Sequence, residues 1–329
     1  MVFVDVPEAE LRAYRSSVTE PAGFAEFWDG TLAEARAAGG GVRLEPVDTG
    51  LVTVDVFDVT FPGFAGEPVR AWLRLPAAAL RPAGEPLAAV VEFVGYGGGR
   101  GEPQENLLWA SAGFAHLHVD TRGQGATWSR GDTPDSGTWG PQVPGVMTRG
   151  ILAPETYYYR RLFTDAARAV DAARSLDVVD ARRVAVHGGS QGGGTAIAAA
   201  SLVPDVAALS AKVPFLCDFP RAVTITDAHP FREVTDYLAT HRDKVERVLH
   251  TLAHVDGVNH ARRASAPARF TVGLMDAVVP PSTVFAAFNA YAGEKEIAVW
   301  PYNGHEGGAA DDDAAALVFL RKHLGDPRG

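Results

Sequence analysis

Residues 184–200 read VAVHGGSQGGGTAIAAA, and the fold follows from them. "VAVH" is a short, strand-like apolar run and "TAIAAA" a helix-like one, so a strand feeds a helix across the glycines between them. Gly188, Ser190 and Gly192 satisfy G-x-S-x-G inside that turn, the context a nucleophile elbow requires. The turn forces Ser190 into a strained backbone conformation, and a side chain two positions either way would strike the neighbouring strand or helix. The hydroxyl is thereby presented at the carboxyl edge of a sheet, above the partial positive charge of a helix N-terminus.

Outward from this turn, "LAAVVEFVG" (87–95), "FAHLHVD" (114–120), "RRVAVHGG" (182–189) and "ARFTVGLMD" (268–276) are short, nearly continuous apolar runs. Strands buried on both faces read this way, which predicts a mostly parallel central sheet flanked by helices, an α/β-hydrolase fold. Upstream, "LVTVDVFDVTF" and "VRAWLRLP" alternate apolar and polar residues around Pro62 and Gly63, as a half-buried antiparallel pair does. The whole chain, 1–329, reads as one domain. Residues 1–50 are expected to form a helical extension, with Phe24, Phe27, Trp28 and Leu32 three and four apart. Residues 214–267 are expected to form a helical insertion, and 311–324 a closing helix with acidic start and basic end. The Gly-, Pro- and Trp-rich stretch 121–150 is long for a structureless loop and is expected to serve a site or an interface.

A serine hydroxyl needs a base to take its proton, so a carboxylate and a histidine should follow Ser190 in that order. Asp276 ends one strand-like run, and His305 lies in a turn just before the last helix. Both fall at strand ends, where catalytic groups of such sheets gather. Asp218 also lies between serine and histidine; Asp276 is preferred because Asp218 opens the helical insertion and is placed to cap it. Backbone N–H donors for an oxyanion are expected at Gln191, after the nucleophile, and at Tyr96 with its glycine neighbours in "VVEFVGYGGG".

Composition narrows the function. Thirty Lys and Arg against 40 Asp and Glu leave a net charge of −10, which argues against a nucleic-acid partner. The single cysteine, Cys217, cannot form an internal disulfide. The first residues lack the basic and apolar regions of an export leader, and no uncharged apolar run approaches the ~20 residues of a membrane span, so a cytoplasmic protein off the membrane is expected. His116, His118 and Asp120 share one face of a strand, yet no further ligands are evident, so buried, hydrogen-bonded histidines are expected and no metal. His250 and His254 are four apart without the glutamate of a zinc protease and read as solvated surface. Neither dinucleotide nor P-loop glycine spacing is present, and no organic cofactor is expected.

Three motifs together resemble carbohydrate esterase family 7, the acetyl xylan esterases and cephalosporin C deacetylases: "HVDTRGQG" with Arg122 and Gln124, "GGSQG" around Ser190, and "GHE" with His305 and Glu306. The likeness extends from "FAEFWDGTLAEA" (24–35) through "TRGILAPETYYYRRLFTDAARAVD" (148–171) to "DAVVPPSTVFAAFN" (276–289). It implies Ser190, Asp276 and His305 as a catalytic triad, the amides of Tyr96 and Gln191 as oxyanion donors, and Arg122 and Gln124 as residues shaping the site. Glu306 is expected to hold the histidine loop by hydrogen bonds. The resemblance further implies deacetylation of acetylated xylo-oligosaccharides and cephalosporin C through an acyl-enzyme. It also implies a ring-like hexamer that uses the insertion after Phe215. Val279 departs from the family pattern, in which many relatives carry cysteine before the Pro-Pro pair. Trp128 and Trp139 in the long loop fit either substrate contact or anchoring of the loop. Two rivals stay open: another serine hydrolase, a long-acyl esterase or peptidase, and a catalytically silent scaffold on the same fold.

Overall fold

The computed structural model describes residues 3–81 and 84–326. Among these, nine strands form one sheet: β1 (Arg43–Val47), β2 (Val54–Pro62), β3 (Pro68–Pro76), β4 (Leu87–Phe93), β5 (Ala115–Val119), β6 (Val179–Gly189), β7 (Ala208–Lys212), β8 (Ala268–Gly273) and β9 (Lys295–Trp300). Their order is β1-β2-β3-β5-β4-β6-β7-β8-β9. The pairs from β1 to β3 and the β3–β5 pair are antiparallel, and every pair from β5 to β9 is parallel. Within residues 1–50, read above as helical, Arg43–Val47 instead forms an edge strand whose side chains are largely exposed. Its Arg43, Glu45 and Pro46 suit an edge, where charge and proline discourage further pairing.

The helices are α1 (Glu8–Ala13), α2 (Phe24–Ala37), α3 (Leu108–Ser111), α4 (Tyr158–Arg174), α5 (Gln191–Leu202), α6 (Phe219–Ile225), α7 (Phe231–Thr240), α8 (Val245–Ala253), α9 (Gly257–Ala261), α10 (Pro281–Ala290) and α11 (Ala309–Leu324). Alternation along the central strands sends Val91, Leu117, Val186 and Leu209 to one face, where they pack with Ala166, Val170 and Ile197 of α4 and α5. Val90, Ala185 and Ala208 point to the other face, against Trp109 of α3 and Phe319 and Leu320 of α11. No helix among the described residues is long and apolar enough to cross a membrane.

A second core joins α2 and the helices α6–α8 to the body of the domain. Phe24 and Trp28 pack with Tyr159, Phe163, Phe215, Phe231 and Leu252. This contact corrects the reading of His254 as solvated. It is buried because α2 lies over it: Trp28 Nε1 donates to its carbonyl at 3.0 Å, and its ring meets Phe27 edge to face. His250 is exposed. Cys217 sits fully buried in the first core, where burial pushes its thiol well above the usual range.

Candidate active site

The elbow has the strain its sequence implies. Ser190 follows β6 and precedes α5 with φ 55° and ψ −120°. A Cβ on Gly192 would overlap the Phe93 carbonyl of β4, and one on Gly188 the backbone of Gly192, so only glycine lets strand, turn and helix approach this closely. Backbone bonds hold the strained residue: Ser190 N–H donates to the Lys212 carbonyl, and the Ser190 carbonyl accepts from Phe215 and Gly194.

Two further strand ends complete a relay. His305 Nε2 lies 3.0 Å from Ser190 Oγ, and His305 Nδ1 lies 2.8 Å from Asp276 Oδ2. Asp276 is buried, and its other oxygen accepts from the Val278 and Val279 amides at 2.9 Å each, which fixes the carboxylate. A neutral imidazole with its proton on Nδ1 donates to Asp276 and leaves Nε2 free to accept from the serine hydroxyl. Glu306 Oε1 accepts from Asn303 Nδ2 and Gly304 N–H at 3.1 Å each, and so ties together the turn that carries His305. Asp218 lies elsewhere. Its Oδ2 accepts from the Tyr14 hydroxyl at 2.8 Å, and its side chain makes no capping bond, so the capping role considered for it is not the one it plays.

The loops bearing Tyr96 and Gln191 are joined by Gln124. Its Oε1 accepts from Gly97 N–H at 2.6 Å, while its Nε2 donates to Gln191 Oε1 at 3.0 Å and to the Tyr158 hydroxyl at 2.9 Å. Neither the Tyr96 nor the Gln191 amide has a hydrogen-bond acceptor among the described residues, so both are free to donate to a ligand. Arg122 is buried behind this loop, donating to Asp165 at 2.8 Å and to Glu67 at 2.7 Å. Ser190 and His305 open into a cavity of about 430 Å³ whose walls are mostly apolar: Tyr96, Trp128, Pro144, Pro230 and Val278. Of the two loop tryptophans, Trp128 lines this cavity and donates from Nε1 to the Tyr96 carbonyl at 2.8 Å, whereas Trp139 faces solvent.

The sequence profile of the acetyl xylan esterase family matches residues 1–323. The chain belongs to the acetyl xylan esterase family. It is a carboxylic ester hydrolase with an α/β-hydrolase fold. An acetyl xylan esterase from Paenibacillus sp. R4 superposes with a TM-score of 0.89 at 37% identity, covering 97% of this chain and 100% of that one. A second, acetyl xylan esterase 1 from Thermoanaerobacterium sp. JW/SL YS485, gives 0.85 at 32% identity, covering 96% and 99%. An acetyl esterase of Xylanibacter ruminicola is 28% identical over 317 residues, 92% of this chain and 67% of that protein.

In this member of the acetyl xylan esterase family the sequence reading missed the apolar wall residues Pro144, Pro230 and Val278 and, beside the site, a carboxylate. Glu233 of α7 accepts from the Tyr96 hydroxyl at 2.6 Å through Oε1 and from Met147 N–H at 3.2 Å through Oε2. The same hydroxyl oxygen accepts from Gly145 and Val146, so the Tyr96 ring is pinned between the insertion and the long loop. Burial, then the neighbouring Glu233 carboxylate, pushes the Tyr96 phenol above its usual range and keeps it protonated as a donor. Nothing adjacent to Glu233 in sequence marks it; the nearest available signal is a carboxylate near the start of an amphipathic helix in the insertion.

Proposed function

We propose that this chain removes acetyl groups from small acetylated carbohydrates, and from the acetoxy position of cephalosporins, through an acetyl-serine intermediate. The observation that carries the reading is the relay from Ser190 through His305 to Asp276, at 3.0 and 2.8 Å, opening into a cavity with an apolar wall. Ser190 Oγ attacks the ester carbonyl as His305 Nε2 takes its proton. The oxyanion accepts from the Tyr96 and Gln191 amides, and Asp276 stabilises the imidazolium. The imidazolium then protonates the departing alkoxide, leaving acetyl-Ser190. A water molecule loses a proton to His305 and attacks the acetyl carbonyl, and acetate departs as the serine regains its proton. Pro144, Pro230 and Val278 give the wall beside Ser190 an apolar surface that suits an acyl group.

Ser190→Ala is expected to lower acetyl-ester hydrolysis by at least about 1000-fold with the folded state retained, measured by acetate release from acetylated xylo-oligosaccharides and by circular dichroism. Activity within tenfold of wild type would refute the assignment. Across p-nitrophenyl esters from acetyl to octanoyl, together with a peptide amide, acetyl is expected to be turned over best. A hexameric ring in the cytoplasm belongs to the same proposal and is supported by the family likeness; light scattering of the purified chain tests the assembly.

A further inference from the structure

Residues 311–313 are three consecutive aspartates at the start of α11. Carboxylates in a first helical turn ordinarily sit in solvent and complement the helix dipole, as exposed Asp311 does. Asp312 departs from this. It is fully buried, a costly place for a carboxylate unless donors and an opposite charge surround it. Trp300 Nε1 donates to its Oδ1 at 3.0 Å, and Gly308 N–H donates to its Oδ2 at 2.8 Å. The Arg269 guanidinium, 3.8 Å from Oδ1, supplies the opposite charge.

The two donors bracket His305. Trp300 is the last residue of β9, Gly308 immediately precedes α11, and His305 lies on the loop between them. One carboxylate therefore closes that loop at both ends. The first half of the loop is also tied to the turn that carries Asp276: the Trp300 carbonyl accepts from Leu274 N–H at 3.0 Å, and the Asn303 carbonyl from Met275 N–H at 2.9 Å. The second half is bonded within itself, Gly307 N–H to the Gly304 carbonyl and Ala309 N–H to the Glu306 carbonyl at 3.1 Å each. Asp312 anchors this half to β9 through Gly308 on one oxygen and Trp300 on the other. Packing is as close as the bonding: a Cβ on Gly308 would overlap the Trp300 indole, and one on Gly307 would lie 3.0 Å from Asp312 Oδ2.

We infer that Asp312 is a positioning residue for the general base: its carboxylate fixes the path of residues 301–308 and so holds His305 Nε2 within hydrogen-bond reach of Ser190 Oγ. The inference rests on the acetyl-ester reading above, in which His305 takes the serine proton. Transfer of that proton requires the 3.0 Å approach of imidazole to hydroxyl, and a small drift of the loop lengthens it. An isosteric amide does not replace the carboxylate, because it has one acceptor oxygen and an NH2 that only donates. Asp312→Asn therefore turns donors toward either the indole N–H or the Gly308 N–H and releases one end of the loop.

The test uses the full chain, with kinetics on p-nitrophenyl acetate and labelling by a fluorophosphonate read by mass spectrometry for both rate and extent. Asp312→Asn is expected to lower kcat and the labelling rate about tenfold each, with KM within about twofold and every chain still labelled in the end. Asp311→Asn removes the same charge from the same helical turn and should stay within about twofold of wild type throughout. Trp300→Phe deletes one donor and should lower kcat about threefold; it carries the test should Asp312→Asn not fold. Combined, the two losses should not multiply, because the amide oxygen then serves Gly308 while its NH2 no longer opposes a donor. Equal effects of Asp311→Asn and Asp312→Asn would assign both to the dipole. A reduced fraction of labelled chains with an unchanged rate would make Asp312 a contact of the fold alone. Either result, or unchanged kcat in both Asp312→Asn and Trp300→Phe, overturns the inference while leaving the acetyl-ester reading in place. Wild type that neither hydrolyses p-nitrophenyl acetate nor takes the label at Ser190 overturns that reading, and the inference with it.

Discussion

Ser190, Asp276 and His305 lie just beyond the carboxyl ends of β6, β8 and β9; Ser190 and Asp276 were legible because each ends a strand-like run, and His305 because the base of the proposed triad must follow them in chain order. Order alone did not separate Asp276 from Asp218; the 2.8 Å contact between Asp276 Oδ2 and His305 Nδ1 does. Glu233 was illegible for a physical reason: its partner Tyr96 is 137 residues away, and a carboxylate near a helix start looks like any dipole partner. On the proposed reading, in which the Tyr96 amide serves an oxyanion, Glu233 is a positioning residue that holds the Tyr96 ring by its hydroxyl. Complete loss of an oxyanion donor costs about 100- to 1000-fold in kcat, and a displaced one less. Glu233→Ala is therefore expected to lower kcat on p-nitrophenyl acetate about tenfold with KM within about twofold. Glu233→Gln, whose amide oxygen still accepts from the phenol, should recover most of the loss. Equal changes in kcat and KM, or no rescue by Gln, would reduce Glu233 to a structural contact.

At the scale of elements, the buried parallel strands announced themselves by continuous apolar runs, whereas β1, β7 and β9 did not. "RLEPV" is charged and carries proline because it forms an edge; "ALSAK" is five residues long and carries polar Ser210 at its centre; "KEIAVW" lies at the other edge and is only half buried. The long segment 121–150 was expected to serve a site, and the structure indicates what secures it. Asp135 is buried and accepts from Arg161 at 2.7 Å and from Arg149 at 2.9 Å, with Arg122 at 3.4 Å. Burial alone would raise its pKa, but the Arg161 and Arg149 guanidiniums outweigh it and hold the carboxyl at about 2. Removing that carboxylate leaves three guanidiniums crowded without their counter-ion. Asp135→Ala is expected to cost about 3 kcal/mol in urea denaturation, and a change under about 1 kcal/mol would mean that solvent reaches those arginines readily.

For the whole molecule, net charge of −10 is spread over a surface whose interior holds several neutral imidazoles. Burial lowers His260 and His118 to about 3. His260 Nδ1 faces the Ser201 hydroxyl at 3.2 Å, the rings of Phe24, Trp28 and Phe163 surround it, and Arg263 and Glu20 act on it from farther out. Below the unfolded value of ~6.5 the unfolded chain takes up a proton at each such histidine and the folded chain does not, so stability present above that pH is lost as pH falls toward 3. The Asp135 carboxylate acts in the same direction at the acid end, its contribution fading as pH falls from about 4 toward 2. The urea midpoint is expected to fall between pH 6.5 and 4.5, and His260→Asn, whatever it costs at neutral pH, should make that fall shallower. An unchanged slope would show that His260 titrates alike in both states. Cys217 carries a different consequence. Because the chain's one thiol is sealed in the interior, a cysteine introduced on the outer surface meets a maleimide dye or spin label alone, and distances between chosen pairs of sites become measurable in the otherwise native protein.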